Sequence, residues 1–115
     1  MGAPVVLVTK TWLGHVADAD RRFGEAMLDK FLHTLEASPV KPAAICFYTE
    51  GVKLVVSNSP VLLSLKVLAD AGVRMLVCQS CVQQYGMTDQ VAVGSVGSMA
   101  DIVAAIMDAD TVVTV

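Results

Sequence analysis

Cys78-Gln-Ser-Cys81 is the segment of this 115-residue chain whose residue types and spacing offer reactive chemistry. Two thiols so placed suit metal ligation, thiol–disulfide exchange or nucleophilic sulfur chemistry by a thiolate. The segment follows Arg74-Met-Leu-Val77, an apolar run that reads as a buried strand, and a short helix is expected next. A thiol at such a junction lies near unpaired N–H groups and the positive end of a helix dipole, both favouring the thiolate. Cys78 is the candidate for that position, and Cys81 falls in the first helical turn. Gln79 and Ser80 are candidates to donate hydrogen bonds to a charged sulfur. Against this stands a plainer reading, in which Cys78 is a small hydrophobe that continues the strand. Cys46, between Ile45 and Phe47, reads as such a core residue.

The remaining candidates are weaker. A structural zinc site takes four ligands, commonly two C-x-x-C pairs or one pair with two spaced histidines. Here a second pair is missing and His15 and His33 fall in different elements, so no metal is expected. The surroundings typical of a thioredoxin-type C-x-x-C are also missing. His15 lies in a long first loop, from which it could reach the thiol, although a solvated histidine is the commoner case. Trp12, in the same loop, suits a lid or an interface anchor. His33 lies off the apolar stripe of its helix and reads as surface. Gly94-Ser-Val-Gly97-Ser98 lacks the spacing and the lysine of a phosphate loop and reads as a turn. No cofactor is indicated.

The elements that must position these residues are short. Length allows one domain, residues 1–115. Hydrophobic residues make up 55%, with few aromatics, so the core is built from Val, Leu, Ile, Ala and Met. Charged residues such as Lys53, Lys66, Asp70, Arg74, Asp89 and Asp101 interrupt the apolar stretches, which excludes a membrane-spanning run of about 18 residues. The excess apolarity therefore implies strands buried on both faces, or a subunit interface. A net charge of −3 and scattered basic residues argue against nucleic acid or anionic lipid as partner. Three cysteines without a disulfide framework, and no signal or transit pattern, make the cytoplasm the expected compartment.

Val5-Val-Leu-Val8 reads as the first strand, and residues 9–20 as its loop. Phe23, Met27, Phe31 and Leu35, with Leu28 and Leu32 beside them, predict an amphipathic helix ended by Ser38-Pro39. Residues 43–48 form a second strand, and Ser59-Pro60 a helix start with Leu62, Leu65 and Ala69 inward and Gly72 at its end. After the third strand and a helix over 81–85, Val91-Ala-Val93 reads as the fourth strand. Ser98 caps a helix carrying Met99, Ile102 and Ile106 inward, and residues 111–115 form the last strand. This alternation predicts an α/β fold with a largely parallel sheet covered on both faces. Ligands of such sheets gather at the carboxyl ends of the strands, here residues 9–20, 49–59, 78–81 and 94–98.

Gly51-Val-Lys-Leu54, Ser59, Leu65-Lys66, Ala71-Gly72-Val73, Cys78-x-x-Cys81, Tyr85-Gly86, Val93-Gly94 and Met99-x-x-Ile102 follow one another as in the DsrE/DsrF-like family. The chain most resembles the DsrE-like domain of YedF-type proteins, associated with selenium metabolism. The resemblance implies a three-layer α/β/α sandwich around a five-stranded sheet, assembled as a homotrimer or hexamer. It also implies a sulfur relay, in which a cysteine takes sulfane sulfur from a donor protein as a persulfide and hands it to an acceptor protein. In DsrE and TusD-type members a glycine follows the relay cysteine by eight residues, the spacing of Cys78 and Gly86. The resemblance thus gives the relay role to Cys78, with Cys81 as a second, resolving or co-accepting thiol. The first loop, Gly14-His-Val-Ala-Asp18-Ala-Asp20, departs from the family pattern. The alternative is a non-catalytic oligomeric module that binds a small ligand or protein through Trp12 and His15. A flavodoxin-like flavin site fits less well, because the first loop has too few hydroxyl and glycine residues for the phosphate.

Overall fold

In a computed structural model, which describes residues 3–115, five strands form one sheet in the order β4-β3-β2-β1-β5. They are β1 (Val5–Val8), β2 (Ala44–Phe47), β3 (Arg74–Cys78), β4 (Ser95–Gly97) and β5 (Val112–Thr114). All four pairings are parallel. The helices are α1 (Arg21–Ala37), α2 (Leu62–Asp70), α3 (Gln79–Gln84) and α4 (Met99–Asp108), joined by short 3₁₀ turns that include Thr49–Leu54. The expected sandwich is therefore present, with helices on both faces of the sheet. From β1 to β4 each strand is laid beside its predecessor in one direction, whereas β5 returns to the far edge. Right-handed crossovers consequently place α1, α2 and α3 on one face and α4 on the other.

The three central strands explain the apolar composition. Every residue of β1 and β2 is buried, and so is β3 beyond Arg74, because helices cover them from both sides. Phe47, Ile45, Val8 and Val77 are fully buried there, against Leu28, Leu32, Leu65, Leu68 and Ile102 from the helices. Among the described residues, no helix is long and apolar enough to cross a membrane.

Three sequence expectations need correction. The buried face of α1 is Gly24, Leu28 and Leu32, whereas Phe23 is 63% exposed. The first loop sets this rotation: a Cβ on Gly24 would stand 3.0 Å from the Cβ of Trp12, so glycine admits the loop against the helix. Met99 is likewise exposed at the start of α4, and Ile102 supplies the buried contact. The fourth strand is Ser95–Gly97, not Val91–Val93; Val91 instead makes an isolated antiparallel bridge with Val56. Gly94 redirects the chain between the two, at φ +87° and so close to β3 that an added Cβ would lie 2.8 Å from the Met75 carbonyl oxygen. The segment expected to be a turn is thereby drawn into the sheet.

Helix termini show what local chemistry can and cannot settle. Ser98 is the N-cap of α4 in a full capping box, its Oγ accepting from the Asp101 N–H and its own N–H donating to Asp101 Oδ2 at 2.9 Å. Ser59 acts three residues before the first residue of its helix: its Oγ accepts from the Val61 N–H at 3.3 Å, in a turn that leads into α2.

Candidate functional site

The sheet order selects one place at its carboxyl edge. The chain leaves β3 for the face that holds α3 and leaves the adjacent β4 for the opposite face, that of α4. Such a divergence between neighbouring strands opens the crevice where parallel sheets bind ligands. Cys78 is the last residue of β3 and pairs with Gly97, the last residue of β4. The candidate thiol therefore stands at the divergence itself.

Cys78 is the N-cap of α3, in extended conformation, and Cys81 is the third residue of that helix. One helical turn brings the second thiol over the first: the Cys81 Sγ–H points to Cys78 Sγ, sulfur to sulfur 2.9 Å. All three cysteines are free. Cys78 is 2% exposed and belongs to the hydrophobic core cluster, whereas Cys81 is partly exposed at its margin. The pair is thus stacked, one sulfur inside and the other facing out.

The hydrogen-bond donor at the sulfurs is not one of the expected groups. A helix of six residues has a small macrodipole, and Gln79 and Ser80 are exposed without donating to either sulfur. The donor is instead the backbone N–H of Thr49, 3.0 Å from Cys81 Sγ. Thr49 follows β2 by two residues and has φ +48°, a left-handed conformation that is strained for a β-branched side chain. Its Oγ1 donates to the Thr9 carbonyl at 2.9 Å, which ties the connection after β2 to the one after β1. Sequence reasoning placed residues 49–59 at the right edge but did not single out Thr49. Contact between the same 3₁₀ turn and α3 continues outside, where the Lys53 ammonium lies 4.7 Å from the centre of the Tyr85 ring.

Burial pushes the pKa of the Cys81 thiol up, and the hydrogen bond it donates to Cys78 adds to the effect. The Thr49 N–H works against both without reversing them. Less thiolate is therefore present at neutral pH than for an ordinary cysteine near 8.5. Iodoacetamide is accordingly expected to label Cys81 slowly at near-neutral pH, with a rate that still climbs above pH ~8.5. Cys78→Ala removes a raising influence and should move the profile towards lower pH; a wild-type midpoint at or below the ordinary thiol value would contradict this geometry. Cys46 is fully buried and its thiol is also raised, chiefly by burial, which agrees with a packing role.

The first-loop candidates make no hydrogen bond to the sulfurs. Trp12 is held by α1, with the Arg21 guanidinium 3.7 Å from its ring centre and the Leu13 N–H donating to the Gly24 carbonyl at 3.0 Å. His15 is exposed and makes no hydrogen bond to either thiol. His33 is exposed too, 3.2 Å from Glu36.

Solved structures share the fold of the chain. The ychN protein of E. coli matches with a TM-score of 0.69 at 15% identity, over 100% of both chains. Protein MTH1491 of Methanobacterium thermoautotrophicum matches with a TM-score of 0.69 at 18% identity, again over 100% of both. BT1422 of Bacteroides thetaiotaomicron gives 0.62 at 17% identity, over 97% of this chain and 94% of its own. At such identities the likeness speaks for the fold alone. No functionally curated protein matches in sequence. The profile of the DsrE/DsrF-like family, however, matches residues 17–115, which takes in every element from the first helix to the last strand. With that match and the shared fold, the chain belongs to the DsrE/DsrF-like family.

Proposed function

We propose that the chain is a sulfur-relay protein of the persulfide-carrier or sulfurtransferase type, one DsrE-like domain that works through Cys78 and Cys81. The family is generally associated with sulfur relay. The observation that carries the reading is the pair of free thiols, 2.9 Å apart, at the divergence of β3 and β4. The resemblance gives the persulfide to Cys78. Because Cys78 lies behind Cys81, an incoming donor meets Cys81 first, and Cys78 acts as the second thiol of the relay. Donor and acceptor are proteins or small molecules that present sulfane sulfur, handled in a cytoplasm that keeps the thiols reduced.

The experiment is sulfur uptake followed by intact mass. With a persulfide donor, Cys78→Ser protein should become one sulfur atom heavier, and the Cys78→Ser/Cys81→Ser double variant should stay unchanged although it keeps Cys46. Equal uptake by the two variants, or none by either wild type or Cys78→Ser, would overturn the relay.

Self-assembly into a homotrimer or hexamer belongs to the same reading. Met99, Val103 and Met107 recur every four residues and form an exposed apolar stripe on α4, near the chain position of edge strand β5 with its exposed Val112 and Val113. A second copy of the chain is the occupant proposed. Sedimentation should give an oligomer for wild type and a smaller species for Met107→Glu; a monomeric wild type would refute it.

A further inference from the structure

We propose that the pair also reduces the sulfur it receives: Cys78 discharges a persulfide on Cys81 as hydrogen sulfide, leaving a Cys78–Cys81 disulfide. This rests on the relay reading and adds the chemical form in which sulfur leaves. Three features carry it. The sulfurs are 2.9 Å apart, so closure to a disulfide bond of about 2.05 Å needs less than ~1 Å of approach. The two thiols differ in access, the outer one partly exposed and the inner one 2% exposed. Finally, the Thr49 N–H holds Cys81 Sγ from the side of the neighbouring strand end, which keeps that sulfur over Cys78.

The chemistry balances in two steps. A donor persulfide R–S–SH meets the Cys81 thiolate, which attacks the outer sulfur; a Cys81 Sγ–S bond forms, the donor S–S bond breaks, and RS⁻ leaves to take up the proton Cys81 lost. Cys78 then attacks Cys81 Sγ. The Sγ–Sγ bond forms, the bond to the outer sulfur breaks, and HS⁻ departs with the electron pair and takes the Cys78 proton. In sum, R–S–SH and two thiols become R–SH, a disulfide and H₂S. The thiols are oxidised by two electrons, and the sulfane sulfur is reduced to sulfide. A dithiol reductant then restores the pair by ordinary exchange.

The stacking gives this step its direction. Exchange at sulfur runs in line, with attacker and leaving group on opposite sides of the sulfur attacked. Cys78 attacks from the core side, so the outer sulfur leaves towards solvent. An acceptor would have to dock and take the outer sulfur before a neighbour already in contact acts, and a positioned intramolecular nucleophile has a large advantage over one that must diffuse in. Sulfide is therefore the product whenever no acceptor is bound at the moment of loading.

The test uses reduced, desalted protein under nitrogen, loaded with cysteine persulfide and freed of excess donor. Intact mass and trapped sulfide are then followed with time. Wild type should end two hydrogens lighter than the reduced protein, with one sulfide released per disulfide formed. Cys78→Ser and Cys78→Ala should hold the extra sulfur at least about tenfold longer, and peptide mapping should place it on Cys81. The wild-type mass and sulfide yield decide the matter even where a substitution at the buried Cys78 prevents folding. A wild type that keeps its extra sulfur as long as the variants, disulfide formed without equal sulfide, or an extra sulfur mapped to Cys78 would each overturn the discharge while leaving the relay standing. Failure of wild type and both variants to take up any sulfur would instead remove the relay and the discharge together.

Discussion

Gly51→Ala is expected to destabilise the protein by about 3 kcal/mol or more. Gly51 sits where the turn after β2 crosses the end of β1, and its own N–H donates to the Tyr48 carbonyl at 3.0 Å. An added Cβ would collide with the Val8 carbonyl oxygen and lie 2.7 Å from its carbon. Those are backbone atoms at the carboxyl end of an interior strand, and the same oxygen accepts from the Tyr48 N–H at 3.2 Å. No flexible side chain is available to give way, so β1 and β2 must separate at their carboxyl ends. Domains have about 5–15 kcal/mol in total, so this single methyl removes a large share. Urea denaturation should show the midpoint falling with an unchanged slope. A midpoint within error of wild type would mean that the close approach is absent in solution.

Phe47→Ala should cost about 3–5 kcal/mol. Phe47 is fully buried and lies at the centre of the sheet, in register with Val8 on one side and Val77 on the other. Truncation forfeits the transfer energy of the ring and leaves a cavity that three rigid strands cannot close. Its place is also the foundation of the site: the next residue after Val77 is Cys78, and Thr49 follows Phe47 by two. The check is again the denaturation midpoint, with Phe47→Leu as the milder partner. A loss below about 1 kcal/mol would show that the region repacks freely.

Most of the fold was legible because its signals are local. Four-residue periodicity marked α1, a β-branched run marked β1, an uninterrupted apolar run marked β2, and Ser98 announced α4 by a cap that closes within four residues. Legibility failed where position in the sheet outranks composition. Val91-Ala-Val93 has the residues of a strand, yet Ser95-Val96-Gly97 occupies the place beside β3, because Gly94 alone can swing the chain into it. On α1 the buried stripe lies one residue on from the apolar pattern, since the pattern cannot reveal that Trp12 claims the space above Gly24. At the site, the spacing of Cys78 and Cys81 predicted their proximity. It could not reveal that Cys78 is the hidden partner, nor that the polar contact to Cys81 comes from Thr49, 32 residues away.

That contact has a consequence for how such sites are searched. Thr49 serves Cys81 through its main chain, so the property that matters is a peptide group in an unusual orientation. Side-chain scanning leaves that group in place, and a family comparison by residue type would pass over it. An amide-to-ester replacement at Thr49 deletes the N–H while keeping the threonine side chain, and is the probe suited to it. A site contact made by the backbone leaves no letter in the sequence.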